Sequence, residues 1–178
     1  MIPETTAARR RSLRLRGYDY AQAGAYFVTI CVQGRACLFG AIAEGSMCLN
    51  VAGELAADLW SRLPARYPDI DLDQFVIMPN HIHGIVVLPD GAPSDESGAA
   101  TRAAPTIGGI VGAFKSLFAV EYIRGVKERR WPGFDRRLWQ RNYFEHVIRD
   151  ETDLARVRRY IDENPLRWAD DQENPERS

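Results

Sequence analysis

The sequence predicts an α+β domain in which strands and helices follow one another along the chain. Two runs rich in β-branched and aromatic residues, 25–33 and 81–88, are typical of buried strands. Between them, apolar side chains recur at four-residue steps, which is the pattern of an amphipathic helix. With 178 residues, 46% of them hydrophobic and 26% charged, the chain can fold as one domain without disulfide staples.

The first half of the chain predicts one long strand, two shorter extended segments and a helix. The strand at 25–33 is followed by extended segments at 37–42 and 47–49. Asn50 is a candidate N-cap for the helix, which we expect to end before Pro64 or Pro68 because proline disfavours a helical residue before it.

The second half predicts two strands and further helices. Strands at 70–76 and 81–88 lead into segment 89–104, whose glycine, proline, serine and alanine predict a flexible surface loop. Helical spacing of apolar residues predicts a helix over 107–118. We expect helix again from Tyr143, with a break near Glu151-Thr152 and an end at Asn164-Pro165.

Charge is divided unevenly along a chain whose formal net charge is only −1. Arginines crowd residues 9–16, a predicted basic loop covers 124–137, and acidic residues dominate from Asp150 onward. Such separation can produce a one-sided electrostatic surface, whereas the net charge alone favours solvated faces. We divide the chain into a basic arm at 1–17, one domain at 18–168 and a polar tail at 169–178.

The chain carries no sign of secretion or membrane insertion. No apolar run approaches the ~20 residues of a membrane span, and the arginine-rich N-terminus lacks the apolar stretch of a signal peptide. Three cysteines form no C-x-x-C pair, so we expect reduced thiols that fill the core. A cytoplasmic protein without a membrane partner is the expectation.

The chemistry centres on His81 and His83, two of the chain's three histidines. In a strand, residues i and i+2 point to the same face, so the two imidazoles project together as half of a metal site. Alone, such a pair on a sheet surface usually binds nothing. The third histidine, His146, lies three residues after Tyr143, on the same side of the predicted helix. Taken singly, Tyr143 is better explained as a packed aromatic and His146 as a surface residue.

With these residues in view, the chain resembles the REP-associated tyrosine transposases, part of the single-tyrosine HUH transposases of small bacterial insertion sequences. The resemblance spans roughly residues 9–168. The matching motifs are Arg14-Leu15-Arg16-Gly17-Tyr18-Asp19-Tyr20, Gly24-Ala25-Tyr26-Phe27-Val28-Thr29, Met78-Pro79-Asn80-His81-Ile82-His83-Gly84, Phe114-Lys115-Ser116, Trp139-Gln140-Arg141-Asn142-Tyr143-Phe144-Glu145-His146-Val147-Ile148-Arg149 and Tyr160-Ile161-Asp162-Glu163-Asn164-Pro165.

The resemblance implies a ferredoxin-like fold, with an antiparallel sheet that carries the histidines and helices packed on one face. It also implies metal-dependent cleavage and rejoining of single-stranded DNA at hairpin-forming repeats. His81 and His83 would hold a divalent metal, Mg²⁺ or Mn²⁺. Tyr143 would be the nucleophile, giving a 5′-phosphotyrosine and a free 3′-hydroxyl.

The remaining site residues are assigned by position within these motifs. In related enzymes the third metal ligand lies four residues after the tyrosine, where this chain has Val147, which cannot coordinate. We therefore expect His146 to be that ligand, and three imidazoles would suit Mn²⁺, Zn²⁺ or Co²⁺ better than Mg²⁺. Arg14, Lys115 and Arg141 are the candidate DNA contacts.

Three points stay open at this level. Some relatives work as dimers that exchange tyrosine helices and others act as monomers, so either a monomer or a homodimer fits. A relative that binds repeat hairpins without cutting them would need the same basic segments. An unrelated metal hydrolase could use the three histidines with Tyr143 as a bystander.

Overall fold

The computed structural model describes residues 23–89 and 105–177. The predicted arm at 1–17, with Arg14, and nearly all of the predicted loop at 89–104 lie outside these ranges. The elements in chain order are β1 (Gly24–Cys31), β2 (Gly40–Ala43), β3 (Ser46–Leu49), α1 (Val51–Ser61), α2 (Leu63–Arg66), β4 (Asp71–Ile77), β5 (His81–Leu88), α3 (Ile107–Arg129), β6 (Phe144–Ile148) and α4 (Glu151–Glu163). Short 3₁₀ helices span Gln33–Arg35 and Pro165–Asp170.

A four-stranded antiparallel sheet in the order β4-β5-β1-β6 forms the centre of the fold. The sequence β1-α1-β4-β5-α3-β6 around this sheet is the arrangement of a ferredoxin-like domain. The predicted α+β class and antiparallel sheet are confirmed. A separate hairpin, β2-β3, lies outside the main sheet.

The two faces of the sheet are covered by different helices. Alternate β1 residues Tyr26, Val28 and Ile30 face α1 and α3 in the larger apolar cluster. The intervening Phe27 faces the other way, into a smaller cluster that includes Val157 and Ile161 of α4. Helices α1 and α3 therefore pack on one face as expected, while α4 covers the opposite face, which carries the histidines.

Most helix ends follow the local signals in the sequence. The Asn50 side chain accepts a hydrogen bond from the Gly53 backbone N–H at 3.0 Å, and α1 ends before Pro64, as predicted. Helix α3 begins at Ile107 as predicted but runs on to Arg129, through the first part of the segment 124–137 expected to be a basic loop. Its end packs against Trp131, where a side chain on Gly125 would place its Cβ 2.4 Å from the indole.

The helix predicted from Tyr143 is wrong, because Phe144–Ile148 forms strand β6 at the sheet edge. This segment pairs with residues 25–29 of β1, so its alternate side chains point to opposite faces. Helix α4 starts only after Asp150, whose carboxylate accepts a hydrogen bond from the Asp153 backbone N–H at 2.8 Å. It ends before Pro165, as predicted.

Two expectations drawn from composition can be compared with the described residues. Cys31, Cys37 and Cys48 are free thiols, but Cys37 and Cys48 are exposed rather than core filler. Within residues 23–89 and 105–177, no helix has the length and apolar character needed to cross a membrane.

Candidate active site

Strand β5 presents both histidines of the H-x-H pair on the face covered by α4. His81 lies opposite Cys31 and His83 opposite Thr29 of β1. Both side chains are buried, and their Nε2 atoms are 3.0 Å apart. The predicted convergence of these two imidazoles is found.

Each imidazole is oriented by a hydrogen bond at its Nδ1 atom. The Asn80 amide nitrogen donates to the carbonyls of Arg35, at 3.0 Å, and Glu173, at 2.7 Å, so its Oδ1 is the atom that faces His81. His81 Nδ1 therefore carries a proton and donates to this oxygen at 2.9 Å, which leaves a lone pair on Nε2. Thr29 Oγ1 lies 2.8 Å from His83 Nδ1 and can accept in the same way.

Asp171 joins the histidine pair from the segment predicted to be a polar tail. Its Oδ2 lies 3.9 Å from His81 Nε2. In the described ranges, His81, His83 and Asp171 form the one group whose three ligand atoms all lie within 4.8 Å of one another. The Glu173 carbonyl bonded to Asn80 and the 8% exposure of Asn174 show that this segment packs against the domain.

Asn164, at the end of α4, adds a buried oxygen next to the pair. Its side chain is 3% exposed and lies against His81. Its Oδ1 makes no hydrogen bond of normal geometry with the described residues. A buried amide oxygen without a donor costs free energy unless something binds it. Two imidazoles, a carboxylate and this oxygen fit a divalent cation that accepts mixed nitrogen and oxygen ligands.

Burial keeps both imidazoles neutral. Desolvation lowers the pKa of His81 to about 4, although the Asp171 carboxylate and the Asn164 side chain oppose the shift. Burial also holds the pKa of His83 well below its ordinary value, with a further contribution from His81. Neutral imidazoles are the form that binds a metal ion, so no proton must leave these rings at neutral pH.

Tyr160 of α4 is the tyrosine that reaches this pair. Its hydroxyl lies 3.4 Å from His83 Nε2, and the two ring centroids are 5.2 Å apart. Its ring meets Phe27 edge-on at 5.9 Å. The side chain is 43% exposed, so a substrate can approach the phenol from solvent.

Tyr143, the expected nucleophile, lies on the other face of the sheet. Its ring packs against the larger apolar cluster, and its hydroxyl donates to Glu145 Oε2 at 2.9 Å. Glu145 lies opposite Val28, which points toward α1 and α3. These contacts put Tyr143 on the opposite side of the sheet from the histidines, because the segment that follows it is a strand with two-residue alternation rather than a helix.

His146, the expected third ligand, is not brought to the other two histidines. It lies on β6 opposite Phe27, and its Nε2 is 2.8 Å from Asp153 Oδ2. Arg156 and the Arg149 backbone N–H bind the same carboxylate. The His146 side chain thus connects β6 to the first turn of α4, and the Phe27 ring lies between it and His83.

The two described candidates for DNA contact differ in their surroundings. Lys115 Nζ donates to the carbonyls of Gln140, at 3.0 Å, and Asn142, at 3.3 Å, and lies 5.8 Å from the centre of the Tyr143 ring. Burial lowers the pKa of its ammonium group. Lys115 therefore holds the segment before β6, whereas Arg141 is exposed.

A signal for Tyr160 and Asn164 was present in the sequence. The family spacing places a ligand four residues after the tyrosine, and Tyr160 and Asn164 have that spacing, whereas Tyr143 is followed at that distance by Val147. This spacing suits one face of a helix, and only the segment containing Tyr160 is helical. Asp171 carried no comparable signal, because it lies among several acidic residues of a polar segment.

Comparisons with known proteins find relatives in sequence and in fold. No protein-family model matches the chain. The chain is 39% identical over 172 residues to an uncharacterized protein of Haemophilus influenzae, covering 92% of each chain. It is 27% identical over 152 residues to the "Putative REP-associated tyrosine transposase" of the same organism, covering 84% of this chain and 74% of the relative.

A solved structure has the same fold. It is a REP-associated tyrosine transposase bound to a REP hairpin, with a TM-score of 0.57, 19% identity and coverage of 84% of this chain and 71% of that one. The fold, the sequence similarity to the named relative and the motifs around His81 and Tyr160 all point to the same group of proteins. The chain therefore resembles the REP-associated tyrosine transposases in sequence and in fold.

Proposed function

We propose that this protein cleaves and rejoins single-stranded DNA at hairpin-forming repeats, with Tyr160 as the nucleophile. The observation that carries the proposal is the Tyr160 hydroxyl 3.4 Å from His83 Nε2, beside two neutral imidazoles that face each other. A phenol next to a candidate cation site is the arrangement that phosphodiester cleavage through a covalent tyrosine link requires. This assignment replaces Tyr143 with Tyr160.

The candidate ligands are His81, His83 and Asp171, with Asn164 Oδ1 as a fourth donor. They would hold a divalent cation, and the carboxylate and amide oxygens make Mn²⁺ or Mg²⁺ compatible with the site. When bound, the cation would withdraw negative charge from the phosphodiester as the reaction proceeds. Thr29 and Asn80 keep the two imidazoles aimed at one point.

The reaction at Tyr160 is an exchange of phosphate esters. The phenol loses its proton as its oxygen bonds to phosphorus, and the bond from phosphorus to the 3′-oxygen breaks. That oxygen takes up a proton and leaves as a 3′-hydroxyl, while the 5′-phosphate stays on Tyr160. Attack by another 3′-hydroxyl reverses the exchange and joins the strands, so no high-energy cofactor is needed.

Polar contacts on both sides of α4 hold Tyr160 in position. On the β4 side, Arg158 Nε donates to Asp73 Oδ1 at 2.9 Å. The Gln74 amide donates to Asp162 on the same side at 2.8 Å. On the β6 side, His146 contacts Asp153. These contacts suit a nucleophile that must meet a phosphorus atom at a defined angle.

The substrate class follows from the family. The solved relative is described as bound to a REP hairpin. We extend this partner to the present chain because its own site is open to solvent at Tyr160 and because exposed arginines flank β6 and lie on α4. All the proposed reacting residues belong to one chain, which fits a monomer.

The test uses the same tyrosine-to-phenylalanine substitution at two positions that lie on opposite faces of the sheet. Parent protein, Tyr160→Phe and Tyr143→Phe are incubated with labelled single-stranded hairpin DNA and Mn²⁺, and covalent adducts are counted on a denaturing gel. Parent and Tyr143→Phe should form the adduct, and Tyr160→Phe should form none. An adduct that survives in Tyr160→Phe and disappears in Tyr143→Phe would reverse the assignment. Tight hairpin binding without any adduct in the parent would instead identify a binding protein that does not cut.

A further inference from the structure

Phe144 and Tyr160 are the two most exposed aromatic side chains of the described chain, at 46% and 43%. Both rings contact Phe27, with centroid distances of 6.3 Å for Phe144 and 5.9 Å for Tyr160. Phe27 in turn stacks on His83 at 5.3 Å. An open aromatic ring therefore contacts the same Phe27 that stacks on a candidate metal ligand.

The position of Phe144 follows from the register of β6. Phe144 lies opposite Thr29, whose hydroxyl contacts the His83 ring, so its side chain is on the histidine face. Strand β6 is at the edge of the four-stranded sheet. Because the Phe144 side chain stays nearly half exposed, its burial contributes only part of the free energy that a fully buried phenylalanine contributes to folding. The exposed ring face is thus available to a ligand.

The chain segments next to Phe144 and Tyr160 carry positive charge that suits an anionic ligand. Arg141 precedes β6, Arg149 follows it, and Arg159 precedes Tyr160 in α4. All three are exposed, and within the described residues none of them forms an ion pair. An exposed aromatic ring on a strand flanked by exposed arginines is the composition of a single-stranded nucleic-acid platform, where bases stack and phosphates meet positive charge.

We propose that Phe144 is a stacking platform for a nucleobase next to the scissile phosphate. The inference rests on the proposed function and extends it to a residue that does not react. A base stacked on Phe144 would fix the position of the adjoining phosphate in front of Tyr160. Stacking accepts any base, so this subsite sets the position of the strand rather than its sequence.

The experiment measures binding of full-length protein to a fluorescein-labelled DNA hairpin with single-stranded thymidine flanks, by fluorescence anisotropy in the presence of a chelator. Phe144→Leu removes the π-face but keeps an apolar contact for Phe27, and it should weaken binding by about 5- to 100-fold. Phe144→Trp restores a stacking face and should bind within about threefold of the parent. Phe134→Leu, the same change at a 38% exposed ring that contacts Tyr122, is the matched control and should bind as the parent does.

Abasic replacements, made one at a time along the flanks, locate the stacked base. One replacement should weaken binding by the parent about as much as Phe144→Leu does, and it should have no further effect on Phe144→Leu. Equal binding by parent and Phe144→Leu, or equal losses in Phe144→Leu and Phe134→Leu, would overturn the inference. If these failures occur while the Tyr160-dependent adduct still forms, only the platform is refuted. If the parent neither binds the hairpin nor forms an adduct, the proposed function fails with it.

Discussion

At the scale of single residues, the histidine pair is completed by groups that are far away in the sequence. Asn164 reaches His81 from the end of α4, and Asp171 reaches it from the segment that follows α4. The pair itself was predictable, because residues i and i+2 of a strand share a face whatever the surrounding fold is. The partners were not predictable from spacing alone, since they depend on how α4 and the following segment fold back over β5.

Asp171 supplies the one carboxylate of the candidate metal site, which gives a test with a neighbouring control. Asp171→Asn keeps the size of the side chain and an oxygen that can accept from the Glu173 backbone N–H, but it removes the charge. We expect Mn²⁺ affinity to fall by about tenfold or more, because ligand charge strongly tunes the affinity of such sites. Isothermal titration calorimetry with MnCl₂ measures the change. The adjacent exposed Asp170→Asn should have no effect, and equal losses in both variants would remove Asp171 from the site.

The two tyrosines show how one misassigned element changes the chemistry. Tyr143 and His146 share a face only if their segment is helical. Tyr143, immediately before strand β6, packs against the apolar cluster of α1 and α3, while His146 in β6 contacts Asp153 of α4. The sequence contained a competing signal in Tyr160 and Asn164, whose four-residue spacing is compatible with a helix that presents both residues to one site.

At the scale of elements, strongly patterned segments were predictable and the short edge strand was not. The β-branched run of β1, the Asn50 cap of α1 and the strand β5 all formed as expected. Strand β6 has only five residues, among them Glu145 and His146, so its local pattern cannot separate strand from helix. Pairing with β1 decides the outcome, and this is a long-range interaction that no local window contains.

The attachment of α4 to β4 predicts a pH-dependent contribution to stability. The hydrogen bond from Arg158 lowers the pKa of Asp73 below its ordinary value of 3.8, assisted by the Gln74 backbone N–H and by the charge of Arg158. A carboxyl whose pKa is lower in the folded state stabilises the fold above the unfolded pKa, and the contribution is lost as the pH falls through the folded pKa.

Asp73→Asn should therefore lower the free energy of unfolding by up to about 1 kcal/mol near neutral pH, the usual size for an exposed pair, and the difference should shrink toward about pH 3. Urea unfolding at both pH values measures it. Asp69→Asn, at an exposed position with no such partner among the described residues, is the control. A difference between parent and Asp73→Asn that grows on acidification would contradict the assigned ion pair.

At the scale of the whole molecule, every proposed reacting group lies in one chain. β5 supplies the two imidazoles, α4 supplies Tyr160, the cap residue at the end of α4 is Asn164, and the segment after it supplies Asp171. The ferredoxin-like sheet makes this possible because α4 packs on the histidine face directly after β6. The predicted boundary at residue 168 separates Asp171, in the polar tail, from the other residues of this site, in the domain.

A complete site in one chain predicts that two damaged chains cannot repair each other. His83→Ala lacks a metal ligand and Tyr160→Phe lacks the nucleophile, so each alone should form no adduct with hairpin DNA. A mixture of the two should remain inactive, because no chain contains both groups. Recovery of adduct in the mixture would show that the tyrosine is delivered to a partner's histidines, as in a dimer that exchanges α4.

The central claim is that Tyr160, rather than Tyr143, carries the DNA. The most direct measurement is mass spectrometry of the peptide that remains linked to a nucleotide after the covalent adduct is digested with protease and nuclease. The added mass is expected on the peptide that contains Tyr160. The same mass on the peptide that contains Tyr143 would contradict it.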